Sequence, residues 1–308
     1  MPALTPPISQ AYQPVAKIAF RTLVAVTMVG PMMSSSPLYP LERLSFNEIC
    51  TKGWSSIETI EQCYDQSIRW VGLWRDRVED AGLANVRAAL DRTGAKVSSL
   101  CRGGMFTGET TAERDRATSD NLRAIDEAAT LGADVLVLVC GPMIERNANE
   151  SRRQVIEGLE RVIPHAAACG VRLGIEPLHP MLIASRSVVV TMREALDILQ
   201  DLPADVVGMV FDAYHLFWDT DVEHLSKGNA SRIYSFQISD WVLPIEGELS
   251  SRGLPGDGNI DLQGIGQLMA DIQYEGPIEL EILSSTLWAM PPTDAFRLAL
   301  NSYRALQV

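Results

Sequence analysis

VRLGIEPL (Val171–Leu178), VGMVFDAYH (Val207–His215), IYSFQISD (Ile233–Asp240) and PIELEIL (Pro277–Leu283) follow one another along the C-terminal half of the chain. Each is a short apolar run that reads as a buried β-strand. Toward the end of each stands a side chain with an oxygen donor: Glu176, Asp212, Gln237 and Glu281. A carboxylate buried without a partner costs several kcal/mol in lost hydration, so such endings need a purpose. Four oxygen donors converging from four successive strands make a divalent-metal site, because the ion makes clustered carboxylates tolerable.

Outward from these runs, strand-like and helix-like segments alternate from Leu44 on. The earlier strands read as LSFNEIC (Leu44–Cys50), WVGLW (Trp70–Trp74), KVSSLCRG (Lys96–Gly103) and DVLVLVCG (Asp134–Gly141). Between them lie segments of helical period, such as NLRAIDEAATLG, with Leu122, Ile125, Ala128 and Ala129 on one face and Gly132 as a C-cap signal. Thr191, Asp261 and Thr293 stand where N-caps belong. Eight strands, each followed by a helix, over about 265 residues predict an α/β fold, a single-domain (β/α)8 TIM barrel. A doubly wound open sheet would announce itself by a Gly-rich turn after the first strand, and Thr51-Lys52-Gly53-Trp54 is no such turn. The weakest unit is the short sixth crossover, Asp219 to Arg232. Active sites of these barrels lie at the C-terminal strand ends, the rim on which all four donors fall.

The 308 residues are 46% apolar and 21% charged, with a formal net charge of −13 that disfavours a nucleic-acid partner. The five cysteines (Cys50, Cys63, Cys101, Cys140, Cys169) are odd in number and show no C-x-x-C spacing, which fits reduced thiols in a cytoplasmic enzyme. No apolar run is long enough to predict a membrane-spanning helix. Residues 1–40 differ from the rest: they hold Lys17 and Arg21, no acidic residue, and the apolar stretch Thr22–Met33. A signal peptide is one reading. The preferred one is an N-terminal extension outside a core of residues 41–308, so that a chain starting at Met33 is expected to fold and work.

Several further residues could do chemistry. Glu279 and Glu281 are two apart and share a face, and nearness to the strand end favours Glu281 as the donor. Glu279 then lies deeper, paired with a cation, or the strand is shifted. His215 in FDAYH and His179 in EPLHP each follow a donor by three residues. Either holds a carboxylate in place or donates to substrate oxygens. His165 and His224 read as structural or solvent-facing. Arg102 ends the third strand beside Gly103-Gly104, and Arg252 lies in SRGLPGDGNIDL after the seventh; each could bind an oxyanion or balance the acidic rim. Trp74, Trp218 and Trp241 near strand ends read as aromatic walls or as core. The G-x-S-x-G elbow and the P-loop are both absent from the sequence.

At LGIEPLHP, FDAYH, FQISDW, PGDGNIDL and YEGPIELEI the chain resembles the xylose-isomerase-like superfamily of sugar isomerases and epimerases, from about Leu44 to the C-terminus. The resemblance implies one Mn²⁺, Mg²⁺ or Co²⁺ held by Glu176, Asp212, Gln237 and Glu281, with His179, His215, Arg102 and Arg252 on the substrate. Most members carry His at the third ligand position; Gln237 is shared with hydroxypyruvate-isomerase-like members. An all-oxygen set favours Mn²⁺ or Mg²⁺ over Zn²⁺. The implied activity is keto-sugar isomerisation or epimerisation through a metal-stabilised enediolate, with Glu176 and Glu281 exchanging protons. A lyase of the inosose-dehydratase or keto-glycoside-cleaving kind would start from the same enolate, and a non-catalytic sugar-binding barrel is a third reading. The expected partners are a small carbohydrate and further copies of the chain, with no nucleic acid and no membrane.

Overall fold

The computed structural model describes residues 37–307. Of the proposed extension, residues 1–36 lie outside them. The packed body already includes residues before 41: Tyr39 is fully buried, its ring centroid 6.1 Å from that of Tyr303.

The strands are β1 (Leu44–Asn47), β2 (Trp70–Trp74), β3 (Lys96–Gly104), β4 (Val135–Val139), β5 (Leu173–Glu176), β6 (Val207–Asp212), β7 (Ile233–Ile238), β8 (Asp240–Trp241), β9 (Arg252–Gly253) and β10 (Ile278–Leu280). Eight of them form a parallel closed barrel, β1 pairing with β2 on one side and with β10 on the other. The remaining two, β8 and β9, make a small antiparallel ribbon above the barrel's C-terminal rim. Helices between strands cover the outside, among them Thr111–Leu131, Ala148–Cys169, Leu262–Asp271 and Pro292–Ala305.

Local chemistry sets the boundaries. β1 stops at Asn47, earlier than the predicted Cys50, because the Asn47 side chain accepts from Ile49 N (3.0 Å) and turns the chain into a 3-10 helix, Glu48–Thr51. Thr191 and Asp261 cap their helices by accepting from Glu194 N and Gly264 N, as expected. Thr293 does not: the last helix begins at Pro292, whose fixed φ suits the first turn, so Thr293 lies inside it. The short sixth crossover holds the helix Val222–Gly228. Gly132 ends its helix at φ +68°, a left-handed position that costs glycine nothing.

The core runs between barrel and helices. Phe46 meets Phe296 edge-on at 4.7 Å, and Phe211 and Phe236 pack at 5.9 Å. Each such ring contributes roughly 1.5–3 kcal/mol by leaving water. All five cysteines are free. Among the described residues no helix is long and apolar enough to cross a membrane.

Candidate metal centre and its cavity

Glu176 ends β5, Asp212 ends β6, Gln237 is the penultimate residue of β7, and Glu281 follows β10 directly. All four are buried. Asp212 also caps the short helix Ala213–Leu216, accepting from Tyr214 N at 2.8 Å, which fixes its carboxylate. Donor atoms of Glu176, Asp212 and His215 lie within 4.8 Å of one another. Among the described residues the other such group is Asp126, His165 and Cys169 on the outer helices, where His165 pairs with Asp126. His224 is exposed.

Gln237 is anchored by one end. Its Nε2 donates to Glu279 Oε1 (3.0 Å), while its Oε1 is buried and has no partner. The carbonyl oxygen is the end a hard cation would take, so the donor set fits a divalent ion. Glu279 is not paired with a cation, as one sequence reading had it. It lies below the rim and accepts from Asn47 Nδ2 (2.7 Å), Ser98 Oγ (2.6 Å) and Ser99 Oγ (2.9 Å) as well as from Gln237. Four neutral donors satisfy one buried carboxylate. Asn47 also reaches Glu281 Oε1 at 3.2 Å.

Arg252, placed by the sequence in a loop, balances the acidic rim, one of its two expected roles. It belongs to β9 and is buried, with Nη1 2.7 Å from Asp212 Oδ2 and 3.2 Å from Glu281 Oε2. One guanidinium thus pairs with two of the three buried carboxylates; with all three ionised, the cluster would hold two uncompensated negative charges, which a divalent cation would balance. Burial pushes all three carboxyls up. For Glu176 the charges of Glu281 and Asp212 add to it; for Asp212 burial outweighs the pull of Arg252; Glu281 is raised to about 8, with burial again the largest cause and Arg252 opposing it.

His215 is buried against this cluster. Its Nδ1 accepts from His179 N (3.1 Å), and its Nε2 lies 3.0 Å from Arg252 Nη2 and 3.8 Å from Asp212 Oδ2. Burial, then Arg252 and His179, hold its pKa well below the usual value, so the ring is neutral. His179 itself packs in an aromatic group with Trp241 (4.7 Å) and Trp218 (5.9 Å) and accepts from Met181 N. It is not among the residues lining the main cavity.

That cavity, about 720 Å³, opens over the rim and is lined by Glu176, His215, Arg252 and Glu281 at the centre, with Trp74, Trp288 and Arg102 around them. Arg102 is the extra residue of a β-bulge: Cys101 and Gly103 pair with consecutive residues of β4. Bulges re-aim side chains. Sequence reasoning missed Asn47, Ser98, Ser99 and Arg186, the last also in the cavity wall. Ser98-Ser99 inside an apolar strand was the one available signal.

The family model described as xylose isomerase-like TIM barrel matches residues 53–306. The chain belongs to that family. An inosose isomerase of Bacillus velezensis is 24% identical over 278 residues, 86% of this chain and 96% of that protein. A 3-dehydroshikimate dehydratase of Pseudomonas aeruginosa is 28% identical over 174 residues, 55% of this chain, and the match spans only 26% of that protein's length. A crystal structure of a Sinorhizobium meliloti protein superposes with a TM-score of 0.83 at 38% identity, covering 87% of this chain and 99% of that one.

Proposed function

We propose that this chain is a divalent-metal-dependent isomerase or epimerase of polyhydroxylated ketones, with Mn²⁺ as the preferred ion and Mg²⁺ or Co²⁺ as substitutes. The observation that carries the reading is the partnerless, buried Gln237 Oε1 in a site with three buried carboxylates, two of them paired with one arginine. Glu176, Asp212, Gln237 and Glu281 would hold the ion. When bound, it supplies Lewis-acid polarisation of the substrate carbonyl and offsets negative charge developing on that oxygen.

The remaining work falls to this chain's side chains. Glu281 and Glu176, both buried and both lining the cavity beside the proposed ion, would carry protons to and from carbons next to the carbonyl. Neutral His215, with Nδ1 taken by the His179 N–H and Nε2 facing the Arg252 guanidinium at 3.0 Å, would hold Arg252 and Asp212 in place beside the substrate. Arg252 pairs with Asp212 and Glu281 and so orients both carboxyls, opposing part of the rise that burial imposes on them. The inosose isomerase relative, matched over nearly its whole length, supports this substrate class.

A lyase is the second reading, favoured by the match to the dehydratase. It would share the proton abstraction and then lose a β-hydroxyl. Incubating the Mn²⁺-loaded enzyme in D₂O with an inosose, a ketohexose and 3-dehydroshikimate separates the outcomes by mass. Carbon-bound deuterium without loss of water supports isomerisation; loss of water supports the lyase. Neither in any of the three would overturn both.

A further inference from the structure

Five arginines line the cavity, and three are spoken for. Arg75 is held by Asp120 (2.9 Å) and Glu127 (2.5 Å), Arg123 by Asp120 (2.6 Å), and Arg252 by the metal-centre carboxylates. Arg102 and Arg186 have no carboxylate within 4.0 Å among the described residues. Residues 1–36 contain no Asp or Glu, so the rest of the chain has no acidic side chain to offer there either. We infer that Arg102 and Arg186 form an oxyanion subsite, and that the substrate is a hydroxylated ketone bearing a carboxylate or a phosphate monoester. The inference rests on the reading above and narrows its substrate class.

Both residues are half-buried rather than loose on the surface. The Nε of Arg186 is buried and has no hydrogen-bond partner, a donor without an acceptor inside the protein. The backbone that carries Arg102 is fixed by its bulge. Gly104, at φ +98°, is gripped by Asn121, which accepts from its N–H (2.6 Å) and donates to its carbonyl (2.7 Å). The backbone carbonyl of Arg102 accepts from Arg75 Nη1 at 3.3 Å. A Cβ on Gly103 would meet Asn121 and Leu138, so that packing admits no larger residue. Apolar Val139, Leu178 and Leu283 line the same cavity. An anion there meets guanidinium forks beside apolar walls, the charge-assisted geometry that makes such pairs strong. Of the other acids in the wall, Asp76 and Glu79 are exposed and therefore solvated, and buried Glu176 belongs to the proposed metal centre.

The test is calorimetric titration of the full-length Mn²⁺-loaded chain with two matched probe pairs: 3-dehydroshikimate against its methyl ester, and D-fructose 6-phosphate against D-fructose. The charged member of one pair should bind at least about tenfold tighter than its neutral partner. Arg102→Gln and Arg186→Gln should each cut that preference about fivefold or more, leaving the neutral probe and the Mn²⁺ stoichiometry unchanged. The pair showing the larger preference identifies carboxylate or phosphate. Arg102→Lys, which keeps the charge and loses the fork, should fall between. Equal binding within both pairs, no binding of any probe, or a preference that survives both Gln variants overturns the inference. Failure of the wild-type chain to bind Mn²⁺ would instead strike the proposed function, so the two failures are distinguishable.

Discussion

The amide of Gln237 is divided: Nε2 is committed to Glu279, and Oε1 is left without a partner. Gln237→His should retain an ion but move the preference toward Co²⁺ or Zn²⁺, because imidazole is the softer donor. Competition between Mn²⁺ and Zn²⁺ for the metal-free protein reads this; an unchanged ranking would place residue 237 outside the ligand set. Glu281→Gln should keep the fold and lower turnover by about two orders of magnitude or more, as loss of a proton carrier does; near-normal kcat at full metal occupancy would remove Glu281 from that role. The oxygens at strand ends were legible in the sequence because each interrupts an apolar run. Their supporting network was not. Parity puts Glu279 and Glu281 on one face, but the Asn47 amide that touches both comes from 232 and 234 residues away in the chain, and no spacing rule reaches that far.

At the scale of the element, β2 shows how a strand makes room for the site. A Cβ on Gly72 would stand 2.6 Å from Glu279 Oε1 and 2.7 Å from Asn47 Nδ2. Gly72→Ala should therefore cost about 1–3 kcal/mol by overpacking, and should also weaken metal binding by displacing the carboxylate that anchors Gln237. Urea unfolding with a Mn²⁺ titration tests both; unchanged stability would mean Glu279 can shift freely. The eight barrel strands could be read from periodicity because burial on both faces leaves continuous apolar runs. The β8–β9 ribbon could not, since two-residue strands carry no period. That is why Arg252 read as a loop residue, when the ribbon buries it against Asp212 and Glu281.

Across the whole molecule, the buried acids tie stability to pH and to the ion. In the metal-free protein Glu281 has its pKa raised to about 8, and Glu176 and Asp212 are raised too. A raised carboxyl contributes stability that is full below the ordinary carboxylate range and is lost as pH rises through the folded value. The metal-free chain should thus lose melting temperature between about pH 5 and 8, while an ion that takes the deprotonated forms should restore it increasingly over the same window. Thermal unfolding with and without Mn²⁺ reads the difference; a metal-induced shift independent of pH would contradict it. The most direct test of the central claim is the Mn²⁺ stoichiometry of the metal-free chain, followed by electron paramagnetic resonance of the free ion. One Mn²⁺ per chain, with Gln237→Ala weakening it by about tenfold or more, is the predicted result. No saturable site, or a site that Gln237→Ala leaves untouched, would contradict a metal centre built on these four strands.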